Sequence, residues 1–426
     1  LHRAKTLSII GASPLEKDMH IRLAVPVIAF LAAAAGVQPV PAAAPSGLGG
    51  SRGGPGPARG ADPNAIRDML RQRVASHRDL AMLNDSVPAH QLKGHTDGIL
   101  SVAYSPDGRL LASGSADHMI KLWDASTFKE VRTLEGHASI ILNVRFTPDS
   151  KHLLSSSYDS KIIQWNVQTG EIEQVYQQDW YANSMEIMPD NQHFITANTY
   201  AAMYWQMGAD QGKQYDFGGK SVRAIAVSRT EKLAAGTKTG DVLLVEAATG
   251  KLIAQHHRQT IVNGQPADDL IASIRFLSDD AVLIGDHEGF WKWDLKADKI
   301  DFVRAAPYPG YTILIDDNRV VFAVDTILML QNLNGPGAHQ VSMKETFHGL
   351  ALSPKGDFLA LAKGGKWGPG GWQSGGPGTL YIMDMKKLLA GLSIETVAAR
   401  PPAGSNTGTG RGGAGTAAKT LGTPWD

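Results

Sequence analysis

Residues 92–166 carry one pattern twice, and that repeat constrains the fold more than any other feature of the chain. The first copy runs Leu92-Lys93-Gly94-His95, Ser105-Pro106-Asp107-Gly108, Leu111 to Ser115, Asp117 and Leu122-Trp123-Asp124. The second runs Leu134-Glu135-Gly136-His137, Thr147-Pro148-Asp149-Ser150, Leu154 to Ser157, Asp159 and Gln164-Trp165-Asn166. The pairs His95/His137, Asp117/Asp159 and Trp123/Trp165 all stand 42 residues apart. Within one copy, Ile99 to Tyr104 offers two sets of alternating positions, as a strand requires. Pro106-Asp107-Gly108 is a turn, since Pro presets φ and Gly accepts a positive one. Leu110 to Ser115 is small and apolar, as in a strand covered on both faces. Ile120 to Trp123 and Phe128 to Leu134 supply two more strands. Four short strands per repeat, with turns at regular spacing, predict a radial four-stranded sheet.

A period of about 40–45 residues with Gly-His near the start and Trp-Asp near the end marks a propeller blade. On these motifs the chain resembles the WD-repeat β-propeller family, with the unambiguous likeness confined to residues 87–170; the resemblance extends to an exported, bacterial-type member. It implies that His95, Ser113, Asp117 and Trp123 form a hydrogen-bonded chain tying the strands together, repeated by His137, Ser155, Asp159 and Trp165. The donor inventory permits it: indole N–H, a hydroxyl that donates and accepts, and an imidazole with one of each. Ser115 and Ser157 are the alternative serines. A Ser-His-Asp hydrolase triad is the rival reading, but a triad has no reason to recur in every repeat. The fold alone leaves function open.

Beyond residue 166 the pattern decays but can be followed. Blades are expected at Ser184 to Gln206, Val222 to Glu246, Ile271 to Asp294, Tyr311 to Asn332 and Gly349 to Asp384. The expected fold is all-β: a seven-bladed β-propeller of four-stranded antiparallel blades, with an N-terminal helix and disordered termini; six or eight blades are the alternatives. Residues 87–93 align with the outer strand of a blade that has no inner strands before it, so they are expected to complete the last blade and close the ring. Closure leaves no open sheet edge.

The flanks read differently. Met19 to Arg22 is a short basic start, Leu23 to Val37 is apolar, and Ala42-Ala43-Ala44 offers a cleavage site, so residues 1–45 are expected to be a leader with a signal peptide; an uncleaved anchor is the alternative. Residues 1–18 are expected to precede the natural start at Met19. On this reading the chain is periplasmic or secreted. Residues 46–61 are a Gly/Pro-rich linker, expected to be disordered. Residues 62–86 carry an N-cap, a Pro at the first helical position and an apolar stripe, hence a helix. The propeller is expected over 87–398, ending in a short helix and strand within Leu388 to Val397, and a disordered tail over 399–426.

Forty-one basic residues balance 41 acidic ones, which implies no bulk attraction to nucleic acid or to anionic membrane. The absence of cysteine excludes disulfides, thiolate metal sites and a cysteine nucleophile. The insertions fall in turns that open on one face of a propeller. They carry Asp179-Trp180-Tyr181, His256 to Asp269, Asp286-His287-Glu288 and the Gly-rich stretch Lys363 to Gly378 with Trp367 and Trp372. Trp180, Tyr181, His287, Trp367 and Trp372 are therefore the expected contacts for a protein or peptide partner, the two Gly-rich-loop tryptophans plugging the ring's mouth being the plainer account of that pair. No metal or cofactor is expected: adjacent residues such as 286–288 point in different directions, and no phosphate-loop or hydrolase motif occurs. The expected function is that of an exported, non-catalytic, monomeric scaffold, since most members of the resembled family are interaction platforms. A quinone- or metal-dependent propeller enzyme, drawing on Asp286, His287, Asp325 and Asp159, and a carbohydrate-binding propeller are the alternatives.

Overall fold

The computed structural model describes residues 88–391, apart from 199, 263–264, 307–308, 325–326, 335–337, 343–345 and 369–370. The expected leader, linker, N-terminal helix and C-terminal tail lie outside the described residues, as does Asp325. Seven four-stranded antiparallel sheets follow one another along the chain. Blade 1 is built from Ile99–Tyr104, Leu110–Ser115, Ile120–Asp124 and Glu130–Leu134. Blade 2 runs from Ile141 to Gln177, blade 3 from Ser184 to Tyr215, and blade 4 from Val222 to His257. Blade 5 runs from Ser273 to Ala305 and blade 6 from Tyr311 to Ser342. Blade 7 takes Phe347–Leu352, Phe358–Lys363 and Thr379–Asp384, and its outer strand is Pro88–Lys93 from the other end of the chain. Residues 88–93 pair antiparallel with 379–383, so the first described strand is bonded to the last and the ring closes.

The second strand of each blade shows why these sequences read as unbroken apolar runs. Leu111 packs in the cluster shared with blade 7, beside Ala360 and Ile382. Its neighbour Ala112 packs in the cluster shared with blade 2, beside Ile141 and Trp165. Side chains alternate between faces, and both faces are covered by another sheet, so both sets of positions are buried, and the polar members Ser113, Ser115, Ser155, Ser156 and Ser157 are each hydrogen-bonded. Burying such a side chain contributes about 1.5–3 kcal/mol.

The turns after each inner strand are tied locally and to the next blade. Ser105 Oγ donates to Asp107 Oδ1 at 2.6 Å and accepts from Leu110 N–H. Gly108 takes φ 73° there, and Ser150 takes 63° in the matching turn. The Asp107 N–H donates to Ser150 Oγ at 3.1 Å, and the Asp149 N–H to Asn191 Oδ1 at 2.9 Å, so the turns of blades 1, 2 and 3 are linked in succession on the lower face.

The connections between second and third strands, and those between blades, open on the upper face. Two hairpins rise from it: Gln259–Val262 with Gln265–Asp268 between blades 4 and 5, and Lys366–Gly368 with Gly371–Gln373 inside blade 7. The chain leaves the ring through a helix, Met385–Gly391, which starts three residues earlier than expected; the expected strand after it lies outside the described residues.

Candidate functional site

In blade 1, Trp123 Nε1–H donates to Ser113 Oγ at 2.9 Å, Ser113 Oγ stands 2.8 Å from His95 Nε2, and His95 Nδ1 stands 2.8 Å from Asp117 Oδ2. Blade 2 repeats the chain with Trp165, Ser155, His137 and Asp159 at 2.8, 2.8 and 2.9 Å. The donors fit one assignment: indole N–H to hydroxyl, hydroxyl O–H to Nε2, and Nδ1–H to carboxylate. Asp117 also accepts from the backbone N–H groups of Thr96 and Met119. Burial opposes the charge on Asp117 and Asp159, but the bonds from the histidines and the backbone outweigh it, and both carboxyls sit below their ordinary value. Both serines are fully buried, which leaves no room for a substrate at either hydroxyl. Ser115 and Ser157 serve the turns instead, donating to the carbonyls of Asp97 and Gly98 and of Ser139.

Blade 3 keeps a reduced version that its sequence hides. Trp205 Nε1–H donates to Thr196 Oγ1 at 3.0 Å, and Thr196 donates on to Gln178 Oε1 at 3.4 Å. Threonine stands where serine did, and glutamine stands for histidine. In blade 5 the Trp293 indole instead donates to Asp298, which also holds His256.

The upper face does not gather the expected contacts into one patch. Trp180 stacks with Tyr200 at a centroid distance of 4.8 Å, the two rings being 43% and 59% exposed. Tyr181 lies against Tyr158 with centroids 4.2 Å apart, both half-buried. Burial holds both phenols well above their ordinary value, so they stay protonated. Arg223, at the start of blade 4, lies close enough to favour their charged forms. Tyr200 comes from a turn that carries no marker, Tyr158 stands beside the Asp159 marker, and sequence reasoning missed both.

Trp372 sits at the seam between blades 7 and 1. Its indole N–H donates to Asp97 Oδ1 at 3.2 Å, and its ring lies over Gly98, where an added Cβ would stand 2.7 Å from it. His348 stacks edge-on against Trp372 and reaches the Gly365 carbonyl at 2.7 Å. The hairpin is thereby fastened across the closure. Trp367 pairs with Trp372 across the hairpin; its side chain lies outside the described residues.

His287 is in a third place, inside an ionic cluster at the base of the other hairpin. Its Nδ1 is hydrogen-bonded to Asp269, a fully buried carboxylate. Asp286, also buried, accepts from Arg258 Nη2 at 3.1 Å and Nε at 3.3 Å, and from the backbone of Glu288 and Gly289. Glu288 accepts from Thr260 at 2.8 Å. The Arg258 guanidinium lies 3.4 Å above the Trp291 ring. Asp286 and Glu288 thus converge on Arg258, Glu288 Oε2 standing 3.7 Å from its Nη2, while His287 turns to Asp269; among the described residues no group of three His, Asp or Glu side chains is arranged to hold a metal ion. Burial and the nearby Asp269 push the Asp286 carboxyl up to about 6. Burial works against a charge on His287, yet the bond to Asp269 and the surrounding carboxylates win, and its value is raised.

Comparison with known proteins bears on the repeats first. The family described as WD domain, G-beta repeat matches residues 86–124 and 128–166. Protein Mut11 of Chlamydomonas reinhardtii is 57% identical over 44 residues, which are 10% of this chain and 12% of that protein. COMPASS component SWD1 of Saccharomyces cerevisiae is 50% identical over 50 residues, 11% of this chain and 12% of that protein. A ribosome biogenesis protein BOP1 homolog of Drosophila virilis is 35% identical over 71 residues, 17% of this chain and 9% of that protein. The chain thus spans about a tenth of the length of the curated relatives it matches. The crystal structure of the Cps50 (Swd1) β-propeller domain of Myceliophteria thermophila superposes with a TM-score of 0.56 at 18% identity, covering 68% of this chain and 99% of that one.

These relatives correct the expected location. All three come from eukaryotes, and two are named for COMPASS and for ribosome biogenesis, which is work done inside the cell. The periplasmic or secreted reading is overturned on that finding. It rested on the apolar run 23–37 and the alanines after it, which is composition alone and lies outside the described residues. What the repeats, the sheet order and the superposition establish together is that the chain carries WD repeats at 86–124 and 128–166 within a seven-bladed β-propeller.

Proposed function

We propose that the chain is a non-catalytic scaffold whose propeller binds a protein or peptide partner through the aromatic loops of its upper face. The observation that carries this reading is the Trp180–Tyr200 pair, two large rings left exposed on the face that also bears both hairpins. Rigid aromatic side chains offer much contact area for little lost rotamer freedom, and they dominate the energetics of many interfaces. Tyr158 and Tyr181 extend the surface toward blade 2, and Trp372 is a separate contact at the seam. His287 is withdrawn into its cluster and serves the scaffold. The naming of the relatives as a COMPASS component and a ribosome biogenesis protein agrees with a role inside a protein assembly.

The test is affinity capture from cells of the source organism, with the wild-type chain beside a Trp180→Ala, Tyr200→Ala double variant. Both residues lie in turns, so the variant should keep the wild-type melting temperature. A protein held by the first and lost from the second supports the reading. The same proteins on both would move the interface off these rings.

A further inference from the structure

The lower end of the channel is ringed by apolar side chains, one from every blade. Tyr104, Phe146, Ile187, Val227, Phe276, Leu314 and Leu352 each stand opposite the second residue of their blade's second strand, so the seven share one level beside the lower turns. Phe146 is buried, and the other six are half-buried. One level deeper, Arg145, Glu186 and Arg275 stand among alanines and Ile313. A cavity of 360 Å³ opens at these levels, walled mainly by Ala103, Ile313, Leu314, Leu350, Ala351 and Leu352. Arg145 also lines it, but Glu186 already meets that charge at 3.7 Å. What remains open is apolar, and contiguous apolar surface left to water marks a contact site.

The path of the chain supplies an occupant. Pro88 is opposite Met383, Met383 is opposite Leu359, and Leu359 is opposite Leu352. The strand Pro88–Lys93 therefore starts at the level of the apolar ring, three strand spacings from Leu352, or about 14 Å. It runs from there to Lys93, opposite Thr379 at the upper end, so the chain enters it from the lower face. Residues 62–87 lie outside the described residues. Their sequence carries Ile66, Met69, Leu70 and Val74 at helical spacing. The stretch from Val74 to Pro88 spans about 21 Å as a helix and about 46 Å extended. Either is enough to bring the stripe from the edge of blade 7 to the axis.

We infer that residues 62–87 turn back under the propeller and seat Ile66, Met69, Leu70 and Val74 in the apolar lower mouth. Docking removes both apolar surfaces from water at once. It closes the lower end of the channel and leaves the upper face as the end offered to partners. Trp180 and Tyr200 stand at the other end of the strands, so this inference and the partner surface stand or fall separately.

The full chain contains no cysteine, so an introduced pair reports one contact. Leu70→Cys with Leu352→Cys should form a disulfide within one chain under mild oxidation, identified by peptide mapping. The control pairs Leu70→Cys with Val131→Cys. Val131 is 53% exposed on the outer strand beside Pro88–Lys93, where His90 stacks on Phe128 at 4.3 Å, so random collision would favour it. The pair with residue 352 should nevertheless close about tenfold faster or more. Trypsin gives a second reading at Arg67, Arg71, Arg73 and Arg78. Cleavage there should speed up about tenfold or more in Leu352→Asp, and likewise in the Leu70→Ser, Val74→Ser double variant, since the protease cuts the undocked form. The double variant lies outside the ring, so it keeps the test decisive if Leu352→Asp fails to fold. Equal or faster closure with residue 131, a disulfide joining two chains, no disulfide at residue 352, or trypsin rates unchanged in the double variant would each overturn the assignment.

Discussion

Ser155→Ala isolates the hydrogen-bonded chain of blade 2. The Ser155 side chain is fully buried, with its oxygen 2.8 Å from both Trp165 Nε1 and His137 Nε2. Removing that oxygen adds no bulk and strains no backbone, but it leaves an indole N–H and an imidazole nitrogen buried without partners. Each orphaned group costs about 1–3 kcal/mol, so the variant should lose about 2–4 kcal/mol. Ser126→Ala is the control: Ser126 is exposed, bonds only to the adjacent Asp124, and its loss should stay within about 0.5 kcal/mol. A cycle with Trp165→Phe separates the two orphans, since the phenyl ring has no N–H to strand. In that background Ser155→Ala orphans His137 alone, and its cost should fall by about 1 kcal/mol or more. Urea unfolding followed by circular dichroism measures the control and the four proteins of the cycle, provided that the transitions stay cooperative and share one slope. A Ser155→Ala loss no larger than the control, or additive losses around the cycle, would refute the claim that this hydroxyl holds the strands together.

Gly98→Ala should loosen the closure of the ring, because a Cβ there would stand 2.5 Å from the Gly365 backbone nitrogen and 2.7 Å from the Trp372 ring. Faster proteolysis within residues 363–378 is the expected result, and wild-type resistance would mean the hairpin does not seat on blade 1. Deleting residues 88–93 should leave Thr379–Asp384 as an open edge and cause aggregation, seen by light scattering; a soluble, folded deletion variant would refute the pairing. The Asp286 cluster should make stability fall as pH rises. The Asp286 carboxyl is about 6 when folded against an ordinary 3.8, so the native state binds its proton more tightly. Its ionisation penalty is absent below the lower value and complete above the upper one, worth up to about 3 kcal/mol. His287, also raised, adds a loss of the same sign as pH climbs through its folded value. Asp286→Asn should flatten the acid part of the stability profile, and a profile that keeps its slope there would sink the assignment.

The seven blades were legible because the turn and the second strand survive where the markers do not. Met188-Pro189-Asp190 and Ser353-Pro354-Lys355-Gly356 kept the count through blades 3 and 7. Blade 4 has Val245 in place of tryptophan and still forms, because Leu233, Ala235, Leu243 and Val245 pack in one cluster with strands of blade 3. The hydrogen-bonded chain was legible only where its residue types were kept. Trp205–Thr196–Gln178 does the same work in blade 3 with two substitutes, and hydrogen-bonding capacity is a property of atoms and not of a motif. Export was misread because an apolar run followed by alanines is a compositional signal with no packing to check it.

The candidate sites were less legible for a geometric reason. A surface patch on a propeller is assembled from turns of successive blades, so its members are spaced by the repeat and share no local pattern. Trp180 stood out as an exposed-type residue in an insertion, but Tyr200 lies in the turn after blade 3's second strand, and the pairing of that strand with the inner strand, Ser184 opposite Ala197, brings the two rings together. The channel charges are further removed still. Arg145, Glu186 and Arg275 share a level, each opposite the third residue of its blade's second strand, only once the register of each inner strand is known, and the inner strand of every blade but the third shifts register near one end. A shift of one residue in any strand would turn its charge from the axis level into a neighbouring sheet. Neighbours in the sequence behave in the opposite way. Asp286, His287 and Glu288 look like a ligand set on the page, but a chain leaving a strand sends successive side chains in different directions. His287 turns to Asp269, while Arg258 lies 3.1 Å from Asp286 and 3.7 Å from Glu288, which also accepts from Thr260, so the two carboxylates are held by one cation and the imidazole stands apart from them. In this architecture, residues that act together are those at equal height in different blades, and adjacency along the chain is weak evidence of a shared site.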